Sequence, residues 1–311
     1  MKKQIFLSGA ILLPQLIVAQ SAGLSEVYNK YYGEHPDCKI PKNAPNILLI
    51  TSDQHHWMAM GYNDPKCKTP NLDRLASRGI IFDKAYTCNP VSTPSRASII
   101  TGRYPSQHGA YALGTKLPET ELCIGDCLAE CGYETALVGK AHFQPLGGTA
   151  EYPSAEAYPI LQDLDFWRNL SGPFYGFNHV ALTSNHADEP HVGQHYAIWL
   201  QNQVGEKWKD WYRTPTGNAP KGQYGAWKMP EKYHTDAWIA ERCIALLDQY
   251  RKEDKPFMLW ASFFDPHNPY LVPEPWASMY RPEDMDVPVT VNDDISDMPL
   301  HYRVTREENP D

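Results

Sequence analysis

Four short clusters of polar residues carry the groups that could do chemistry. Asp53 and Gln54 offer hard oxygens to a divalent cation. Lys140 and Arg96 offer fixed positive charge, and His142 and His267 can move protons near neutral pH. Ser92 opens the run Ser92-Thr93-Pro94-Ser95-Arg96, directly before the helix-like Ala97–Thr101, where a helix N-terminus favours an anion. Together these groups suit attack on a tetrahedral oxyanion ester. Each also has a plainer role when taken singly: a cap, a turn or a hydrogen-bonded structural histidine.

The elements that must position these groups follow from the apolar pattern. Asn46–Thr51 reads as a buried parallel strand ending at Ser52-Asp53-Gln54. Thr69-Pro70 reads as a helix start with an apolar stripe at Leu72, Leu75 and Ala76 and a stop at Gly79, and Ile80–Tyr86 as a strand. A helix is expected over Glu119–Glu130, then a strand at Thr135–Val138 that ends at Gly139-Lys140-Ala141-His142. Residues 144–230, rich in aromatics, Pro and Gly, read as long loops and an insertion over the site. The Trp, Tyr and Phe side chains between residues 158 and 230 are candidates for a sugar platform or for plain loop packing. The spacing then predicts a helix over Asp236–Tyr250 and a buried strand over Pro256–Phe264, ending at Asp265-Pro266-His267. The tail from Pro273 shows no clear element. Alternating strands and helices imply an α/β fold, a mostly parallel sheet flanked by helices, with functional groups at the carboxyl ends of strands.

The motifs resemble those of the type I sulfatases of the alkaline phosphatase superfamily. Ser92-x-Pro94-Ser95-Arg96 with Thr101-Gly102-Arg103 is similar to that family's Cys/Ser-x-Pro-x-Arg motif and its downstream Thr-Gly. Asn46–Gln54, Gly139-Lys140-Ala141-His142 and Pro266-His267-x-Pro269 match three further segments in the family's order. The resemblance covers about residues 44–270. It implies that Ser92 is oxidised to Cα-formylglycine, whose hydrate supplies the nucleophile, and that Asp53 and Gln54 bind calcium rather than magnesium. It further implies that Arg96 holds the hydrate and Lys140 contacts the sulfate. His142 would assist the hydrate's proton transfer, and His267 would protonate the departing alkoxide or contact the ester oxygen.

Two substitutions set this chain apart from the commonest form of the family. Gln54 stands where many members have a second Asp, and Ser92 stands in place of Cys. The serine form implies a bacterial source and an anaerobic-type sulfatase-maturing enzyme as partner. The family's second metal-binding pair and its smaller C-terminal subdomain have no counterpart between Tyr270 and Asp311. Asn292-Asp293-Asp294 follows no strand and is not read as that pair. The expected organisation is a signal peptide over 1–22, an N-terminal segment over 23–43 and an incomplete sulfatase catalytic domain over 44–311.

Composition sets the outer limits. The 311 residues are 42% hydrophobic, enough for a sizeable core, and the net charge of −9 is the wrong sign for holding nucleic acid by bulk charge. Lys2 and Lys3 before an apolar run from Ile5 to Ala19 read as a secretory signal. Export to the periplasm or beyond is therefore expected, with no stable membrane insertion. Seven cysteines leave at least one unpaired, and Cys123, Cys127 and Cys131 fall in a row on one helix face. They read as thiols filling small core positions, with a metal thiolate row as the alternative. The functional expectation is hydrolysis of sulfate esters, on a sulfated glycan, with a sulfamate substrate left open. The alternatives are an inactive fragment that at most binds glycan, and a phosphatase or phosphodiesterase of the same superfamily using Ser92 directly.

Overall fold

The computed structural model describes residues 40, 43–184, 187–213, 224–286 and 289–308. The expected signal peptide therefore lies outside the described residues. In chain order the elements are β1 (Ile47–Thr51), α1 (Pro70–Ala76), α2 (Ser92–Thr101), α3 (Pro105–His108), α4 (Ile124–Glu130), β2 (Glu134–Gly139), α5 (Leu164–Asn169) and β3 (His179–Leu182). They continue with α6 (Gln194–Val204), α7 (Trp208–Arg213), β4 (Tyr224–Trp227), α8 (Thr235–Glu253), β5 (Phe257–Ser262), β6 (Tyr270–Pro273) and α9 (Leu300–Glu308).

A four-stranded sheet in the order β1-β5-β2-β3 forms the centre, and every pairing is parallel. Period-two alternation sends Ala136, Val138, Leu259 and Ala261 to one face, where α6 and α8 cover them. Leu137, Met258 and Trp260 go to the other face and pack with Ile100 of α2 and with Phe143, Phe174 and Phe177. Both faces of β5 and β2 are thus apolar, which is why these strands read as continuous apolar runs. Each large side chain buried here contributes about 1.5–3 kcal/mol. At the sheet edge, Ile47 and Leu49 pack inward while Leu48 and Ile50 stay about half exposed. A second, two-stranded ladder pairs β4 with β6, also in parallel.

Several expectations are corrected. Ile80–Tyr86 forms no strand: Ile80, Phe82 and Tyr86 are exposed, and no neighbouring strand offers the segment a ladder among the described residues. The helix expected from Glu119 starts only at Ile124, because Asp126 accepts the backbone N–H of Cys123 and so fixes the helix entry there. The stretch 144–230 is largely ordered, and supplies β3 to the main sheet and α6 and α7 to the core. Of its aromatics, Trp167, Trp208, Trp211, Tyr212 and Trp227 are buried, so packing rather than a sugar platform accounts for these five, while Tyr158 and Tyr224 are exposed. The tail from Pro273, expected to be featureless, contains α9, and β6 ends at its first residue. Cys131 is disulfide-bonded, while Cys123 and Cys127 are free thiols, which excludes a thiolate row across all three.

Candidate functional site

The sheet delivers three of the four clusters to one edge. β1 ends at Thr51, β2 at Gly139 and β5 at Ser262, and the register places Thr51 opposite Ser262 and Ser262 opposite Gly139. Asp53, Lys140 and the loop to His267 therefore leave the same end of three adjacent strands, as expected for a parallel sheet. Gly139 makes this possible. Its φ is +104°, and a Cβ there would stand 1.9 Å from the Ser262 carbonyl oxygen.

The fourth cluster arrives on α2, whose first residue is Ser92. Its first-turn N–H groups have no intrahelical partners, and Pro94 brings none, so the helix presents a positive end at Ser92. Gly102 closes the helix in the left-handed conformation. Arg96, one turn on, is buried and fully engaged. Its Nε donates to Ser92 Oγ at 3.1 Å, and its Nη1 donates to the Lys140 carbonyl at 2.9 Å and to Ser262 Oγ at 2.7 Å. Its Nη2 lies 3.4 Å from Asp53 Oδ2.

Lys140 Nζ stands 2.5 Å from Asp53 Oδ2, and both side chains are nearly buried. Burial alone would raise the Asp53 carboxyl, but the Lys140 and Arg96 charges outweigh it and hold the group below its ordinary value. Burial and the Arg96 charge pull Lys140 down to about 8 against the opposing pull of Asp53. His142, with φ +55°, turns its ring so that Nδ1 is 2.9 Å from Ser92 Oγ. Gln54 also has φ +55°. Asp53, Gln54, Ser92, Arg96 and His267 line one cavity of about 260 Å³, while Lys140 and His142 are buried behind it. Burial, reinforced by the Lys140 charge, lowers His267 below its ordinary value, which makes its protonated ring a stronger acid. The structure thus brings all seven expected residues to one place.

The donor set fits a divalent cation in chemistry, with hard oxygens on consecutive residues at the cavity wall. Asp53 Oδ2 faces Lys140 and Arg96 here, so these charges compete with a cation for that oxygen. A second group, His234, Asp236 and Asp265, brings its ligand atoms within 4.8 Å of one another. However, His234 Nδ1 accepts the Asp236 backbone N–H, which leaves the neutral ring's proton on Nε2, 3.8 Å from Asp265 Oδ2. A ligating imidazole needs the opposite tautomer. Asp236 meanwhile accepts the N–H groups of Phe264 and Asp265, so this group braces the loop that carries His267.

Sequence reasoning missed two members of the site. Ser262 ends β5 and receives Arg96, and its position at the end of an apolar run was the available signal. Glu156 sits in an irregular stretch with no motif around it. Other histidines hold structural partners: His108 bonds Ser98, His195 bonds the backbones of Leu182 and Leu170, His191 bonds Asp188, and His55 bonds Ser52 and the Ala59 carbonyl. Asn292-Asp293-Asp294 lies in the tail, where the Asp293 carbonyl accepts Arg306. No described helix is long and apolar enough to cross a membrane.

A family model described as Sulfatase matches residues 45–290. The chain is 31% identical over 243 residues to an "Ulvan-active sulfatase" of Formosa agariphila, covering 78% of this chain and 39% of that protein. It is 29% identical over 259 residues to an arylsulfatase of Clostridium perfringens, covering 79% of this chain and 48% of that one. The solved phosphonate monoester hydrolase of Agrobacterium radiobacter shares the fold, with a TM-score of 0.59 at 24% identity over 78% of this chain and 45% of that chain. The chain spans less than half the length of these relatives.

Proposed function

The chain belongs to the sulfatase family, and from that premise we propose that it carries the nucleophile half of a sulfate-ester hydrolase acting on a sulfated glycan. The observation that carries this reading is Ser92 at the start of α2, touched by Arg96 and His142, with Asp53 and Lys140 directly behind. The glycan class draws support from the relative described as ulvan-active.

In this proposal Ser92 is matured to formylglycine. The hydrate of that aldehyde supplies two hydroxyls, one to attack sulfur as the ester S–O bond breaks, the other to expel sulfate as the aldehyde re-forms. The chain's own residues do the rest. Arg96 fixes the position of the attacking oxygen through its Nε, and the positive end of α2 stabilises charge gathered there. His142 takes the proton of the second hydroxyl through the ring nitrogen that already faces Ser92. Lys140 neutralises the sulfate, and His267 at the cavity wall gives a proton to the departing alkoxide. Asp53 and Gln54 would hold calcium, which supplies polarisation of the sulfate oxygens. Export and an anaerobic-type maturing enzyme complete the proposal.

One observation favours a second reading. A serine 2.9 Å from an imidazole nitrogen is already set up for direct attack on a phosphoryl group. Peptide mass spectrometry on protein from its native host separates the two. Loss of two hydrogens at the Ser92 peptide, with turnover of an aryl sulfate, supports the sulfatase. An unmodified Ser92 with turnover of a phosphate ester overturns it.

A further inference from the structure

We propose that Glu156 is a positioning residue, one that sets the orientation of His142 toward Ser92. The proposal rests on the reading of His142 as the proton acceptor at Ser92.

Three consecutive backbone N–H groups converge on the Glu156 carboxylate. His142 N donates to Oε2 at 2.6 Å, and Phe143 N and Gln144 N donate to Oε1 at 2.8 and 3.1 Å. Glu156 is 1% exposed. Three N–H groups converge on one point only where the chain has left the extended conformation, and it does so at His142, whose φ is +55°. A non-glycine residue in that region stores about 1–3 kcal/mol of strain and persists only where its surroundings over-determine it. The Glu156 carboxyl supplies that determination, because its two oxygens face three donors in a row.

The clamp is itself held. Ser154 Oγ accepts the Glu156 N–H at 3.1 Å and donates to the Pro145 carbonyl at 2.6 Å. The Gln144 side chain accepts Ala155 N–H and donates to Tyr175 Oη, which donates to the Leu117 carbonyl. Two segments, 142–145 and 154–156, are thereby locked together before any substrate arrives, and the product of that lock is the 2.9 Å approach of His142 Nδ1 to Ser92 Oγ. Gln at 156 would keep the size but place an NH₂ donor against a backbone N–H, which releases at least one of the three bonds.

The test uses ¹⁵N-histidine-labelled chain for structure and full-length matured enzyme for kinetics. In the wild-type chain at about pH 8, above the raised Glu156 value of about 7, the His142 amide proton is expected far downfield, as a short bond to a carboxylate requires. In Glu156→Gln, the His142 ring resonances are expected to move to those of an unconstrained imidazole, with kcat on an aryl sulfate down 10- to 100-fold and KM within threefold. Glu156→Asp keeps the charge but shortens the reach, so an intermediate kcat is expected. An ordinary His142 amide shift in the wild type overturns the proposal even if neither variant folds. Unchanged His142 ring resonances and kcat in folded Glu156→Gln also overturn it. A wild-type enzyme that turns over no sulfate ester overturns the functional reading instead, and the resonance measurements still decide the placement of His142.

Discussion

Lys140 and Asp53 neutralise each other across 2.5 Å, so the group suited to an anion and the group suited to a cation are each other's partner in this structure. Breaking such a pair costs the desolvation of whichever charge is left, and it is recovered only when a new partner takes its place. Cation binding at Asp53 and anion binding at Lys140 are therefore coupled: each frees the other.

That coupling predicts the behaviour of Lys140→Met. Removing the ammonium takes away both a competitor and a repulsive charge, so calcium should bind the chain about tenfold more tightly by calorimetry. The same change should cost sulfate-ester turnover about 10²–10³-fold, because the sulfate loses a buried cation. Asp53→Asn should abolish the calcium signal. Equal calcium affinity in wild type and Lys140→Met would show that the ion pair does not oppose the cation.

His267 lines the cavity, and burial and the Lys140 charge lower its pKa, which makes its protonated ring a stronger acid. A proton donor matters most when the leaving group is poor. His267→Gln is expected to slow a sugar sulfate about 10²–10⁴-fold and an aryl sulfate with an acidic phenol far less. Equal losses on both would remove His267 from the departing oxygen and leave it a binding contact.

Gly139 joins the sheet to the site. Gly139→Ala brings a methyl group against the Ser262 carbonyl and the Ile239 side chain, at a φ of +104° that alanine avoids. The expected loss is at least about 3 kcal/mol in denaturant unfolding, with the β2–β5 pairing and the start of the Lys140 segment displaced together. A variant of near-wild-type stability would mean that this end of the sheet relaxes easily.

What the chain revealed before its structure follows physical lines. β5 and β2 were legible because both their faces are buried and their central residues are apolar, and the strand ends then marked Lys140 and His267, as the end of β1 marked Asp53. Ser92 and Arg96 were legible from residue type and helix position. The segment 80–86 misled because local β preference does not supply a partner strand, and 144–230 misled because its helices are short and its aromatics are spread without period. Glu156 was invisible for a different reason. Its role is to receive backbone groups twelve to fourteen residues away, and backbone N–H groups leave no trace in residue type.

Glu156 also gives the fold a pH signature with a definite sign. Burial pushes its carboxyl up to about 7 from an ordinary 4.5, against the three backbone N–H donors and the Arg96 charge that favour its ionised form. Between these two values the unfolded chain releases this proton and the folded chain keeps it, so the folded state binds more protons there. Stability must then be greatest below about 4.5 as far as this group is concerned, fall as pH rises to about 7, and level off above. The whole contribution is about 3 kcal/mol. Other carboxylates act in the same window, among them Asp126, which burial raises to about 6 and which has the same sign, so the wild-type curve alone does not isolate it. The difference between wild type and Glu156→Gln does, since glutamine does not titrate and the hydrogen bond it loses adds an offset independent of pH. Urea unfolding of both proteins from pH 4.5 to 8 should show the wild type losing stability relative to the variant up to about pH 7. A difference that stays flat across that range would mean that Glu156 is ionised throughout, and that the three N–H groups and Arg96 outweigh burial.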